Sequence, residues 1–362
     1  MYQIKFSIIA LLFCLHTAIL SGQNGHPKIK GLNGSHVTAS ALDERVLQIM
    51  DSLEMPGLSI AVINDSKTVY HRAFGVANMD TKEPVTEQTI FEGASLSKPV
   101  FAYFAMKMVQ KGLLDLDKPM YEYIPHPGVD SSSQDYYKLI TPRIILSHSS
   151  GFPNWSHGEM IKLEQKPGTN FSYSGEAYQY LAAVIGQLNG VGFKDDLNQI
   201  FLDEVATPLG LQNTSFTWND YIEEHKAMGH QEGKTTDKAH QGKAFGAGYS
   251  IHSNAQDYAK FLIALIKQEG LEEKYFKEMF TEHTHFKDDN PIKVEVGQTG
   301  WGLGMAQKPD EKGMMHMHTG NNHDFQSYCM ILPDEEYGIV FFTNSDKMEG
   351  FLESFNILGK QF

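Results

Sequence analysis

The stretch FEGASLSKPVFAYFAMKMVQKG, residues 91–112, decides the fold. Val100, Phe101, Phe104, Ala105, Met108 and Val109 recur at helical spacing and predict a helix buried in a core. Yet Ser95, Ser97 and Lys98 occupy its first turn, where the chain would enter that core. An N-cap serine beside a solvated lysine is the simplest account. The other account is chemical. Residues three apart on a helix share a face, so the Ser95 hydroxyl and the Lys98 amine can converge. Burial and the positive end of the helix dipole both disfavour an ammonium there, lowering the lysine pKa towards that of a useful base. A serine hydroxyl becomes a nucleophile when such a base takes its proton. Ser95-Leu96-Ser97-Lys98 is the only Ser-x-x-Lys in the chain. By composition alone, about one is expected by chance.

Outward from this segment, the ends of the chain read as strands and the middle as helices. GLSIAVI (57–63) and KTVYHRAFG (67–75) flank Asn64-Asp65-Ser66 and predict a hairpin. GWGLGMA, MMHMHTG, FQSYCMILP and YGIVFFTN, between residues 300 and 344, are four further strand-like runs. Helices are expected from Ser40, capped by Ser40 with Asp43, from Thr141-Pro142, over 178–188, over 193–206, from Ser253 with Gln256 to Lys267, and over 350–360. The fold class implied is α+β: an antiparallel sheet built from N- and C-terminal strands, flanked by helices, with a mostly helical subdomain inserted over roughly 116–244. Two sequential domains would be the alternative, but no Pro/Gly/Ser-rich linker divides the chain.

The 362 residues are 41% hydrophobic and carry a formal net charge of -14 without a basic run. Nucleic acid and anionic membrane surfaces are therefore poor partners. Lys5 followed by an apolar run from Phe6 to Ile19 has signal-peptide architecture, so residues 1–22 are expected to be removed, residues 38–362 to form the exported domain, and no stable membrane span to remain. Cys14 would leave with that segment. Cys329, in the apolar run SYCMIL, then reads as a small buried hydrophobe.

GASLSKPV and the following KGLLDLDKPMYEYIP resemble the active-site region of class C serine β-lactamases and the related penicillin-binding DD-peptidases and esterases. RIILSHSSGFPN is similar to that family's loop after the active-site helix, PGTNFSYSGEAYQYLAAVIGQLNG to its tyrosine motif, and HTGNNHDFQSYCMILPDEEYGIVFFTNSD to its third motif and last strands. PLGLQNTSF and GAGYSIHSNAQDYAKFLIALI also match family connectors. The likeness covers nearly all of the chain after the signal, with the motifs in order. It implies the β-lactamase/DD-peptidase fold and a hydrolase working without cofactor or metal. Ser95 would be the acylated nucleophile, Lys98 its activator and Tyr173 a proton shuttle. His318, Thr319 and Gly320 would line the cleft, with Gly320 admitting substrate backbone. The N–H of Ser95 and of a residue beyond Gly320, Asn322 or His323, would form the oxyanion hole.

Two positions depart from the pattern. Gly175 stands where the family usually has Asn, a residue that helps hold the lysine and contacts a substrate amide. His318 stands where efficient β-lactamases have Lys, and an imidazole grips a carboxylate less firmly at pH 7. The substrate expected is a small molecule or peptide: a D-amino-acid peptide, a small ester or a β-lactam. A catalytically weak penicillin-binding or scaffold protein is the alternative, and Gly175 is its main support. Histidine pairs such as His283/His285 and His316/His318 lack the spacing of a metal motif. His148 reads as a loop residue that orders its surroundings by hydrogen bonds. Ser149-Ser150-Gly151 lacks the first glycine of a nucleophile elbow. Oligomeric state is not legible.

Overall fold

The computed structural model describes residues 28–192, 195–236 and 244–359. The expected signal segment, with Cys14, lies outside the described residues. All eight residues of the strand Gly57–Asn64 are buried, because both of its faces are covered. Leu58, Ile60 and Val62 point to one core, and Ala61 and Ile63 to another, as the period of two requires. Among the described residues, this strand belongs to a nine-stranded sheet. Its order is Thr284–His285, Gly300–Trp301, Ala306–Asp310, Gly313–Asn321, Gln326–Leu332, Tyr337–Thr343, Gly57–Asn64, Lys67–Asn78 and Glu83–Pro84, every neighbouring pair antiparallel. The last long strand joins the first, from Gly338↔Ile63 to Thr343↔Leu58, so the two ends of the chain do close one sheet.

Helices Ala39–Ser52 and Met348–Ser354 cover one face. Ala255–Lys267 covers the other and separates the sheet from the central helix Ser97–Gln110. That central helix is buried as its stripe requires, and not along the stripe alone. Every residue from Ser97 to Met106 is buried, because Glu273–Phe280, Gly175–Leu188 and the wide turn Leu202–Ala206 pack around it. Phe101 and Phe104 both reach Phe245, with ring centres 6.1 and 6.3 Å apart, and Phe104 meets Phe201 edge-on. Each such ring contributes roughly 1.5–3 kcal/mol by leaving water.

Several element ends differ from expectation. Thr38, not Ser40, caps the first helix, its Oγ1 accepting from the Ala41 N–H. Asn254 rather than Ser253 caps Ala255–Lys267, accepting from the Asp257 N–H, while the Ser253 hydroxyl pairs with Thr214. Gly175–Leu188 starts one turn before Tyr178. The last helix spans Met348–Ser354 and does not reach residue 360. GWGLGMA is not one strand but two short ones joined by a turn in which the Gly302 N–H donates to the Met305 carbonyl. Gly304 has φ +99° there, and an added Cβ would lie 2.5 Å from Ala102 Cβ. The turn is pressed onto the central helix, which is why only glycine fits.

Candidate active site

Ser95 lies just before the central helix, at the end of the short strand Phe91–Ala94. Ala94 adopts φ +48°, a costly angle for a residue with a Cβ, and the chain turns sharply as the Leu96 N–H donates to the Gly93 carbonyl at 2.9 Å. Ser97 holds this elbow. Its hydroxyl donates to the Ala94 carbonyl at 2.6 Å and accepts from the Ile251 N–H at 2.9 Å. The two hydroxyls thus divide: Ser97 stitches the fold, and Ser95 lines a cleft.

Lys98 is 1% exposed. Its Nζ donates to Ser95 Oγ at 3.2 Å and to the Gly248 carbonyl at 2.8 Å. Among the described residues it has no carboxylate partner. Its nearest other neighbours are the rings of Tyr173 and Tyr178, whose centres lie 4.5 and 5.7 Å away. Burial without a counter-charge lowers the lysine pKa to about 7. A large fraction is therefore neutral amine at pH 7, able to accept the Ser95 proton across the same contact.

Tyr173 shares a hydrogen bond with Ser95, but burial outweighs it and pushes the phenol well above its ordinary range. At neutral pH Tyr173 is a proton donor, and Lys98 is the only group of the three poised as a base. His148 holds this tyrosine in place. Its Nδ1 accepts from the Ser174 N–H at 3.1 Å, and its ring lies 4.2 Å from Tyr173 and 4.9 Å from Tyr178. Burial and the Lys98 charge hold the His148 pKa well below the usual value.

The strand Gly313–Asn321 forms the opposite wall. The strand Ala306–Asp310 covers its outer edge only as far as Met317, so residues 318–321 have a free edge. The Asn322 N–H donates to the Phe325 carbonyl across the hairpin, which makes Asn321↔Gln326 a non-hydrogen-bonded pair. The backbone N–H and C=O of Asn321 therefore point out of the free edge. This corrects the oxyanion-donor expectation: the N–H of Asn322 is spent in the hairpin, and that of His323 on Asn321 Oδ1 at 2.7 Å. The Asn322 side chain turns away too, donating to Glu92 Oε2 at 2.8 Å, where Glu92 is paired with the buried Lys226. At Gly320 an added Cβ would lie 2.4 Å from the Gly93 carbonyl and 2.2 Å from Ser327 Oγ. The missing Cβ lets this strand press against the segment carrying Ser95.

His318, Thr319, Gly320 and Asn321 line a cleft of ≈ 630 Å³ together with Ser95 and Tyr173. The His318 Nδ1–H donates to the Thr319 carbonyl at 2.7 Å, so its Nε2 carries a lone pair, and no partner for it is recorded. Burial, reinforced by the Lys98 charge, lowers the His318 pKa to about 3. Gly175 does not line the cleft. It lies under the indole of Trp155, where an added Cβ would be 2.4 Å from Cζ2. The same indole closes over Gly248, whose carbonyl holds Lys98. Asn154 fixes this start of the helix, its Oδ1 accepting from the Gly175 N–H and its carbonyl from the Glu176 N–H.

The family model described as Beta-lactamase matches residues 42–358. The chain belongs to the Beta-lactamase family. It is 25% identical to a β-lactamase of Pseudomonas fluorescens, covering 84% of this chain and 93% of that one. It is 24% identical to Protein flp of Staphylococcus aureus strain MW2, over 80% of this chain and 60% of flp. Among solved structures, an octameric penicillin-binding protein homologue from Pyrococcus abyssi matches with a TM-score of 0.72 at 23% identity, covering 85% of this chain and 74% of that one. A structure titled SurE matches at 0.71 and 22%, covering 87% and 74%.

Within the Beta-lactamase family resemblance, Gly175 is the position that raised doubt about lysine support, and the structure locates that support in the Gly248 carbonyl. Trp155, Gly248, Asn154 and Asn321 were not singled out from the sequence. Asn321 follows Gly320 directly, and the strand's period of two would have favoured it over Asn322. A main-chain carbonyl such as that of Gly248 leaves no signature in composition. Cys329 is buried, and its thiol is pushed up to about 12 by desolvation. His283 and His285 are engaged with Glu278 and Glu282, away from the cleft. No helix among the described residues is long and apolar enough to cross a membrane.

Proposed function

We propose that the protein is a serine hydrolase acting on esters or amides through an acyl-Ser95 intermediate. The observation that carries this reading is the 3.2 Å contact between Ser95 Oγ and a buried Lys98 with no counter-charge. Neutral Lys98 takes the Ser95 proton as Oγ bonds to the substrate carbonyl carbon. The N–H groups of Ser95 and Asn321 receive the resulting oxyanion. As the bond to the leaving group breaks, the Tyr173 phenol supplies the leaving group's proton and is reprotonated from Lys98. Water then attacks the acyl carbon and passes a proton to Lys98; as the acyl–Oγ bond breaks, Lys98 returns that proton to Ser95 Oγ and the acid leaves. His148 keeps the Tyr173 ring in register by stacking and by its bond to the next backbone N–H. We further propose export, on the strength of residues 1–22, which N-terminal sequencing of the secreted form would test.

The test is intact-mass spectrometry with peptide mapping after mixing with p-nitrophenyl acetate. An acetyl group on Ser95 that appears and decays, and is missing in Ser95→Ala, is the expected result. A stable adduct would instead favour the capture protein considered from the sequence. No adduct, or an equal one in Ser95→Ala, would refute the acyl-Ser95 mechanism.

A further inference from the structure

The cleft beside Ser95 has an unusual balance of charge for a site that would hold an anionic substrate. Among the described residues, none of the side chains lining it is a lysine or arginine, and the one formally charged group is Glu349 at its rim. Neighbouring lysines are neutralised: Lys347 pairs with Asp346 at 3.2 Å and Lys293 with Asp288 at 2.7 Å. His318 offers a substrate no N–H, because its only one is given to the Thr319 carbonyl and its Nε2 is buried. The lining also has an apolar part: Ile292 and Val296 from one helix, Met348 and Leu352 from another, and Met317 from the strand.

We propose that this cleft selects uncharged esters or amides bearing an apolar arm and rejects those with a carboxylate near the scissile bond. The inference rests on the acyl-Ser95 reading and names its substrate class. A carboxylate entering here loses its water and finds no lysine or arginine on the lining in return; the amine beside Ser95, Lys98, is buried and already donates to Ser95 Oγ and the Gly248 carbonyl. The carboxylate also meets the Glu349 charge. The chain's net charge of -14 slows its approach as well. An alkyl or aryl arm, by contrast, gains from leaving water against Met317 and Leu352.

The test compares two esters of the same length, p-nitrophenyl butyrate and mono-p-nitrophenyl succinate, which differ by a terminal methyl against a carboxylate. We expect kcat/KM to favour the butyrate by about 100-fold, the discrimination that an unpaired, desolvated charge brings. Raising salt should increase the succinate value and leave the butyrate value nearly still. In Glu349→Gln, at an exposed position, the ratio should fall by about 2–5-fold through a faster succinate reaction. Equal or faster succinate hydrolysis with acyl-Ser95 detected by mass would overturn the inference and leave the acyl-Ser95 mechanism standing. Hydrolysis of neither ester, with no adduct on Ser95, would overturn both.

Discussion

Two helix starts meet at Lys98, and they reached the same site by different routes. At the start of Ser97–Gln110 the chemistry is carried by side chains: Ser95 and Lys98 stand three residues apart, and the structure places their polar atoms 3.2 Å apart. At the start of Gly175–Leu188 the expected side chain is missing. Trp155 fills its space, and the Gly248 carbonyl, 2.8 Å from Nζ, holds the lysine. The difference teaches that a supporting role can move from a side chain to the main chain without leaving the site. The departure at Gly175 therefore does not weaken the case for a working lysine. It changes which residues the lysine depends on.

The comparison can be broken most severely at Lys98. Lys98→Met should lower kcat/KM for p-nitrophenyl butyrate by at least ~10³-fold, since the serine loses its base. The same variant should be more stable than the wild type by roughly 2 kcal/mol at pH 6, because a buried unpaired ammonium opposes folding. The sign follows from linkage. The lysine pKa is lowered to about 7 in the native state, so between pH 7 and the ordinary lysine range the unfolded chain binds more protons. Wild-type stability therefore rises with pH across that window, and the advantage of Lys98→Met shrinks. Urea melts at pH 6 and pH 9 read this directly.

The second helix start should break when the space given to Trp155 is reclaimed. Gly175→Asn places a side chain 2.4 Å from the indole, and we expect about 1–3 kcal/mol of lost stability with a roughly 10–100-fold drop in activity. If Trp155 and Gly175 are one solution, adding Trp155→Ala should restore much of both. The coupling in this double-mutant cycle should exceed ~1 kcal/mol. Simple additivity would mean the two residues are independent.

A finer effect belongs to Trp155 alone. The groups facing Lys98 are Ser95, Tyr173, Tyr178, His148, His318 and the Gly248 carbonyl, with no carboxylate among them. Opening the cover by Trp155→Ala admits water and favours the ammonium, so the acid limb of the kcat/KM profile should move up by about one pH unit. Trp155→Phe should keep it near the wild-type position. Smallest of all, Cys329→Ala should change kcat/KM by less than about twofold, and iodoacetamide should leave the native thiol unlabelled, since burial pushes it up to about 12.

The outline of the fold was legible because alternation and helical spacing are strong signals. Gly57–Asn64 and Tyr337–Thr343 read as strands and pair as strands. Caps were less so: Thr38 and Ser40, or Ser253 and Asn254, are equally competent oxygens, and only the local backbone decides which one accepts. The convergence of Ser95 and Lys98 was within reach because residues three apart on a helix share a face, and the structure brings their polar atoms together, whereas Tyr173 and His318 came only from the likeness to the β-lactamase-related family. Asn322 was one residue off, and on a strand one residue is the difference between the cleft and the opposite edge. Trp155 and the Gly248 carbonyl could not be read at all. Their role comes from contacts between segments far apart in sequence, and since every residue carries a backbone carbonyl, nothing in the sequence marks this one.

The most direct test of the account is the rate of Ser95 acetylation by p-nitrophenyl acetate, followed by intact mass from pH 5 to 10. Lys98 as the neutral base predicts a rate that rises through an apparent pKa near 7 and then levels off. A rate that keeps climbing to pH 10, or a midpoint in the ordinary lysine range, would contradict it, because the amine would then be an ammonium at neutral pH and could not take the serine's proton.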